Sequence, residues 1–339
     1  MGFADIVGQE SAKRVIVNSL KAGRLASSYL FYGPRGVGKT ATAFGLAKAL
    51  NCREREADFC GSCPPCRRIE SLNYPDLRVV VPTPPGVELE DLDWSPKTGR
   101  PSFGQKGKIS IDTIRSLRKE LSLKPFEGER RVIVILDADC MTADASNALL
   151  KSLEEPPLDT VFVLTTVRLS FLLPTILSRC QRIPFRRLKR EEIEESLRKR
   201  LKLDKERARF VSLISDGSLG RALELAQAGR DAGRQSIVEL ISLRPEERWK
   251  ILEEGQVEME LEETLEFLLL VYRDLLILKE MGKEGVVNLD LLPLLKGKAE
   301  AISSEGIRDS ISVLLGASHA LAQNVNPKLI WHNLVTQLT

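Results

Sequence analysis

Histidine is almost missing from this 339-residue sequence, which holds only His319 and His332. Neither has a cysteine partner nearby, which argues against the imidazole-centred triads of proteases and esterases. An excess of one charge sign is missing too, since 50 Lys and Arg face 47 Asp and Glu for a net +3. The whole surface is therefore no nucleic-acid footprint, and any such patch must be local. No uninterrupted apolar run approaches the ~18 residues of a membrane span. The start, Met1-Gly2-Phe3-Ala4-Asp5, has no basic segment followed by an apolar one, so a cytoplasmic location is expected. Fixed-period repeats and low-complexity tracts are absent as well. With 43% hydrophobic residues, the chain can bury two or three cores.

Four apolar runs mark strands: Tyr29-Leu30-Phe31-Tyr32, Leu77-Arg78-Val79-Val80-Val81, Val132-Ile133-Val134-Ile135-Leu136 and Val161-Phe162-Val163-Leu164. Amphipathic stretches alternate with them, the pattern of an α/β fold with a parallel sheet wound by helices. Between Pro82 and Lys108 lie Pro84, Pro85, Gly86, Pro96, Gly99, Pro101, Gly104 and Gly107. These are too many breakers for a packed element, so 82–108 reads as a surface insertion. Beyond Phe185 the strand signals stop. Three short helices fit between Leu188 and Ala228, the last starting at Asp216-Gly217-Ser218, and apolar stretches such as 261–272 need partner helices to cover them. The expected division is an α/β domain at 1–186, a small helical domain at 187–242 and an all-helical domain at 243–339.

Gly33-Pro34-Arg35-Gly36-Val37-Gly38-Lys39-Thr40 follows the first strand and precedes the helix-prone stretch 41–50. That is the setting of a phosphate loop: glycines let backbone N–H groups turn toward phosphate oxygens, and a helix N-terminus adds its positive end. Lys39 is placed to neutralise the β- and γ-phosphates of ATP, and the Thr40 hydroxyl to ligate Mg²⁺. Hydrolysis needs more. Such ATPases carry a carboxylate pair at the end of a buried strand, one for the metal and one for the attacking water. Here the strand 132–136 ends in Asp137-Ala138-Asp139. If Asp137 serves the magnesium, Ala138 stands where the second carboxylate belongs. Asp139, one residue further along an extended chain, points to the other side. The expectation is a site that holds ATP and turns it over slowly or not at all.

Four of the six cysteines fall in Cys52-x7-Cys60-x2-Cys63-x2-Cys66. Four soft thiolates suit a closed, structural tetrahedral Zn²⁺, with an iron–sulfur cluster as the minor alternative. Cys140 and Cys180 read as small packing residues.

Asn147-Ala148-Leu149-Leu150-Lys151-Ser152-Leu153-Glu154-Glu155-Pro156-Pro157 and Thr175-Ile176-Leu177-Ser178-Arg179-Cys180, together with the phosphate loop and the cysteine cluster, resemble the AAA+ subunits of bacterial clamp loaders. That family includes the tau/gamma ATPase and its delta-prime partner. The resemblance is strong over residues 2–185 and weaker beyond, for example in Arg273-Asp274-Leu275-Leu276 and Asn324-Val325-Asn326-Pro327. Counted back from Asn147 as the family spacing suggests, Asp137 falls on the glutamate of the acidic pair and Leu136 on the magnesium aspartate. Either alignment lacks an intact pair, which is similar to the delta-prime branch. The end at Thr339, without the extra domains of the longer tau protein, points the same way.

The resemblance implies a RecA-like AAA+ domain with a zinc module, a helical lid and a helical collar. It implies a hetero-pentamer with tau/gamma and delta subunits that opens the sliding clamp and closes it around primer-template DNA as part of a polymerase holoenzyme. It implies that Arg179 acts in trans, as an arginine finger at the neighbouring subunit's ATP. Thr166 stands where the family has a polar sensor residue, and Arg221 resembles a second sensor arginine, its register shifted so that Gly220 takes the arginine's place. Two rival readings are a tau/gamma-type motor ATPase and a stand-alone DNA-repair ATPase. The stretch 186–209, with eleven basic and six acidic residues, is either a contact for DNA or an acidic partner, or a solvated helix face carrying i,i+4 pairs such as Glu194 with Arg198.

Overall fold

The computed structural model describes residues 2–84, 94–95, 100–101, 107–121, 124–227, 261–283, 286, 288, 291–323 and 325–338. The chain resolves into two units, one of Met1–Ser196 with Asp216–Arg221 and one of Leu197–Ser215 with Ala222–Thr339. The expected 242/243 boundary lies outside the described residues.

Strands of the first unit are β1 (Ser28–Tyr32), β2 (Leu77–Val80), β3 (Trp94–Ser95), β4 (Arg100–Pro101), β5 (Arg131–Ile135), β6 (Thr160–Thr166) and β7 (Gln181–Pro184). Five form one parallel sheet in the order β2-β5-β6-β1-β7. The short β3 and β4 pair antiparallel with each other inside the 82–108 insertion, and an antiparallel bridge between Thr83 and Lys108 ties its two ends. The rest of the insertion lies outside the described residues.

Its helices are α1 (Glu10–Lys21), α2 (Lys39–Asn51), α3 (Pro64–Glu70), α4 (Ile111–Leu121), α5 (Ala143–Glu154) and α6 (Pro174–Arg179). Strand alternation sorts the apolar side chains into two layers. Val132 and Val134 of β5, Val161 and Val163 of β6, and Tyr29 and Phe31 of β1 join Ile16 of α1 and Leu46 of α2 in one core. Their neighbours Ile133, Ile135, Phe162, Leu164 and Leu30 join Ile114 of α4, Leu149 of α5 and Ile176 of α6 in the other. Burial on both faces explains why these strands read as continuous apolar runs. Strand β7 escapes that signal: of Gln181-Arg182-Ile183-Pro184 only Ile183 is buried, as befits an edge strand beside β1.

After Phe185 every described element is helical: α7 (Arg190–Leu201), α8 (Lys205–Ile214), α9 (Leu219–Gln227), α10 (Leu261–Met281), α11 (Leu292–Ala301), α12 (Ser304–Ala322) and α13 (Pro327–Gln337). In the second unit α10, α12 and α13 share a core that includes Leu265, Tyr272, Leu314 and Leu334. No described helix is long and apolar enough to cross a membrane.

Because the five strands run one way, the loops after β1, β5 and β6 emerge at one edge of the sheet, where open α/β sheets bind ligands. The opposite edge is fixed by Asp76. Its buried carboxylate accepts the amides of Phe126 at 2.6 Å, Glu127 at 2.9 Å and Gly128 at 2.7 Å, which shapes the turn into β5. Asp76→Ala removes a charged acceptor from three N–H groups, and a loss of roughly 1.5–3 kcal/mol is expected in urea unfolding.

Candidate functional site

Strand β1 stops at Tyr32 and the chain turns at Gly33, whose φ is 144° and whose amide donates to the Thr166 carbonyl at 3.2 Å. A side chain at Gly33 would collide with the carbonyl of Phe185. The carbonyls that follow are held by this chain's own donors. Lys39, 3% exposed, gives its ammonium to the Gly33 carbonyl at 2.7 Å and to that of Pro34. The Gly36 carbonyl takes the Gly220 amide at 2.9 Å, and the Val37 carbonyl takes the Gln9 side-chain amide at 3.1 Å. In a trans peptide the carbonyl and the next N–H point in opposite directions. Pinning the Gly36 and Val37 carbonyls therefore aims the Val37 and Gly38 amides to the side away from Gly220 and Gln9. Inward-turned amides ahead of a helix N-terminus make an anion cradle. Thr40, in the first turn of α2, is buried, while Arg35 is exposed.

The acidic end of β5 is built differently from the extended chain expected there. Asp137 takes a left-handed backbone, φ 47° and ψ 53°, and Ala138–Cys140 form a turn of 3-10 helix. The Asp137 amide donates to the Thr165 hydroxyl at 3.0 Å. Alternation along a strand thus does not govern where Asp139 goes. Its side chain, 4% exposed, accepts from the Thr166 hydroxyl at 2.9 Å and pairs with Arg168 at 3.1 Å. Burial alone would push this carboxyl up, but the bonds from Thr166, Arg168 and the Val167 amide outweigh it and hold the group below the usual range. Asp139 is therefore ionised and committed inside the fold. Leu136 is buried and apolar, so the strand end supplies no adjacent carboxylate pair in either alignment. Thr166 meets the phosphate loop through its backbone, and its hydroxyl serves Asp139.

Arg179 ends α6 with its guanidinium one-third exposed, paired with Glu154 of α5 at 2.6 Å and bonded to the Thr175 carbonyl at 3.0 Å. On the lid segment, Gly220 has no room for a side chain, because a Cβ there would sit 2.9 Å from the Gly36 Cα. Glycine at position 220 thus has a local, steric reason. Arg221, next along, donates its amide to the Ser218 hydroxyl at 3.2 Å.

All four Sγ atoms of Cys52, Cys60, Cys63 and Cys66 lie within 4.8 Å of one another. The pairs Cys52–Cys63 and Cys60–Cys66 stand at 4.0 Å. A tetrahedral metal with bonds of about 2.3 Å needs thiolates about 3.8 Å apart, so the cluster fits Zn²⁺. The Cys60 sulfur also accepts the amides of Ser62 at 3.3 Å and Cys63 at 3.2 Å, a loop already shaped for a thiolate. The Ser62 hydroxyl and these two amides hold the Cys60 thiol down at about 5, whereas burial pushes Cys66 up to about 12. Burial likewise raises Cys180, which packs in the second core, to about 12, and raises the half-buried Cys140.

Two residues at these sites gave no sequence signal. Lys48 of α2 is buried, pairs with Glu70, lies 5.4 Å from the Phe59 ring centroid and feels the charge of Cys66, although burial holds its ammonium below the usual range. Gln9 pins the phosphate loop across 28 residues of sequence. Only the Gly8-Gln9 pair ahead of α1, both at positive φ, marks it, and a backbone angle is not written in composition.

Two family models match the chain: "DNA polymerase III, delta subunit" over residues 8–189 and "DNA polymerase III, delta subunit, C terminal" over residues 234–339. The DNA polymerase III subunit delta' of Bacillus subtilis (strain 168) is 31% identical over 339 residues, spanning 97% of this chain and 96% of that protein. The tau subunit of Salmonella typhimurium is 33% identical over 237 residues, 68% of this chain and 33% of the longer protein. A solved structure of a DNA polymerase III gamma subunit-related protein from Thermotoga maritima covers 96% of this chain and 97% of that one at 22% identity and a TM-score of 0.43, a likeness that bears no part of the assignment.

The two thiol values set an order of reactivity. In metal-stripped protein at pH 7 Cys60 is expected as a thiolate and Cys66 as a thiol, so iodoacetamide is expected to label Cys60 before Cys66 in peptide mass spectrometry. Labelling of Cys60 slows as the pH falls through about 5. Zinc restored before labelling protects all four cysteines.

Proposed function

The chain belongs to the delta' family of DNA polymerase III subunits, with a role in the clamp loader, and we propose that within that assembly it holds Mg²⁺-ATP without splitting it efficiently and lends Arg179 to its neighbour. Gly33, Pro34, Arg35, Gly36, Val37, Gly38, Lys39 and Thr40 cradle the triphosphate, with the Thr40 hydroxyl on Mg²⁺. Thr166 and Arg221 flank the site as its sensor positions, and Asp137 is the acidic residue of the strand end assigned to the metal. Zn²⁺ at Cys52, Cys60, Cys63 and Cys66 is structural, since four protein ligands leave no position for a reacting water.

One observation carries this reading. The carboxylate nearest the sensor strand, Asp139, is tied to Thr166 and Arg168, and its neighbours Leu136 and Ala138 have no acid to offer. With Asp137 alone the strand end lacks one member of the carboxylate pair in either alignment, and where the missing member is the base the loss is typically about 10²–10⁴-fold. A motor ATPase of the tau/gamma kind and a stand-alone repair ATPase both need that base.

Arg179 suits work in trans because its guanidinium is permanently charged, partly exposed and forked to match phosphate oxygens. Its partners are tau/gamma and delta subunits in a hetero-pentamer, which acts on the sliding clamp and primer-template DNA in the cytoplasm. The AAA+ domain then spans 1–186, the lid 187–242 and the collar 243–339.

Steady-state assays separate the roles. The isolated chain is expected to bind ATP and release little phosphate. Arg179→Ala in the assembled loader is expected to cut turnover at the neighbouring site by roughly 10³–10⁵, with nucleotide binding by the isolated chain unchanged. Equal losses in both assays would sink the trans role, and vigorous hydrolysis by the lone chain would revive the motor reading.

A further inference from the structure

The N-terminal residues run from the metal loop to the phosphate loop and touch both. At the near end, Asp58, two residues before the ligand Cys60, accepts the Phe3 amide at 2.9 Å. The Phe3 ring meets Phe59, the residue before Cys60, edge to face with centroids 5.2 Å apart. Both rings and Ile6 converge on Gly45 of α2, where a Cβ would come within 3.1 Å of Phe3, 3.1 Å of Phe59 and 3.2 Å of Ile6. This is the helix whose first turn carries Lys39 and Thr40 and whose C-cap is Cys52. At the far end the chain turns through Gly8 and Gln9, at φ 61° and 59°. The Gln9 side chain then donates to the carbonyls of Val37 at 3.1 Å and Arg186 at 2.6 Å, and accepts the Arg186 amide at 3.0 Å.

We propose that the metal loop controls the nucleotide site through this N-terminal strap, with Asp58 and Gln9 as its positioning residues. The inference rests on the reading of Gly33–Thr40 as a nucleotide site. Residues 53–62 have little regular structure of their own, so the four thiolates closing on a metal join the contacts of Arg55 with Asp58 and the Phe59 carbonyl in fixing this segment. Asp58 and Phe59 hold Phe3, Phe3 and Ile6 hold the strap against α2, and the strap delivers Gln9 to the Val37 carbonyl. That carbonyl sets the direction of the Gly38 amide. Loss of the metal therefore frees the Val37–Gly38 peptide to turn over, and an amide aimed at phosphate is lost without any change in the loop's sequence.

The test uses the full zinc-loaded chain, Asp58→Ala and Asp58→Asn. Zinc content comes from elemental analysis, protection of residues 2–9 from hydrogen exchange, and ATP and ADP affinity from calorimetry. Asp58→Ala keeps its cysteines and is expected to retain its zinc, lose protection over residues 3–9 and bind nucleotide about tenfold more weakly, the scale of one lost hydrogen bond. Asp58→Asn keeps an oxygen to accept the Phe3 amide and restores both. Wild-type chain stripped of zinc by a chelator behaves as Asp58→Ala does. Nucleotide affinity unchanged in zinc-loaded Asp58→Ala, or protection of the strap unchanged, would overturn the coupling and leave the nucleotide reading standing. A wild-type chain that binds no nucleotide would overturn the nucleotide reading itself.

Discussion

A phosphate loop works only if its amides face one way, and in this protein that orientation is imposed by donors to the loop's carbonyls, two of them from outside the loop. Gly220 holds the Gly36 carbonyl, Gln9 holds the Val37 carbonyl, and Lys39 holds the two before them. Each contact reaches the loop from a different part of the chain: the lid segment, the N-terminal strap and the first turn of α2. Peptide planarity converts these three anchors into a fixed set of donors. Everything else at this edge of the sheet is arranged around that cradle, including the amide of Gly33 on the carbonyl of Thr166.

In the proposed function the same edge separates binding from hydrolysis. A hydrolytic site needs an ionised carboxylate that is near the metal and also at liberty to accept a proton. Asp139 is ionised, but its hydrogen bonds to Thr166 and Arg168 stabilise the charge by drawing it into the fold. The bonds that keep its proton off also keep it from taking one from water. At the end of α6 the partly exposed guanidinium of Arg179 is held by Glu154 and the Thr175 carbonyl.

Much of this was legible in the residues themselves. Strands β1, β5 and β6 could be read because a sheet buried on both faces demands unbroken apolar runs, as in Val132-Ile133-Val134-Ile135. The phosphate loop and the cysteine cluster could be read because their chemistry requires particular residues at particular spacings. Strand β7 could not, since one buried Ile183 among polar neighbours carries no period. The path of Asp139 was misjudged because a single left-handed residue, Asp137, breaks the alternation that an extended chain would have kept. Gln9 and Asp58 were invisible for a further reason: their roles lie in long-range bonds to backbone atoms, and backbone atoms are the same in every sequence.

The contact between Gly36 and Gly220 has a consequence for how such a subunit can change over time. A Cβ on Gly220 would press on the Gly36 Cα at 2.9 Å, and one on Gly36 would strike the Ser218 hydroxyl and crowd the Gly220 backbone. Neither glycine can therefore be replaced alone without prising the lid segment off the phosphate loop. An arginine at position 220 would demand a simultaneous rebuilding of the segment around it, so this pair of positions offers no single-step route to a side chain.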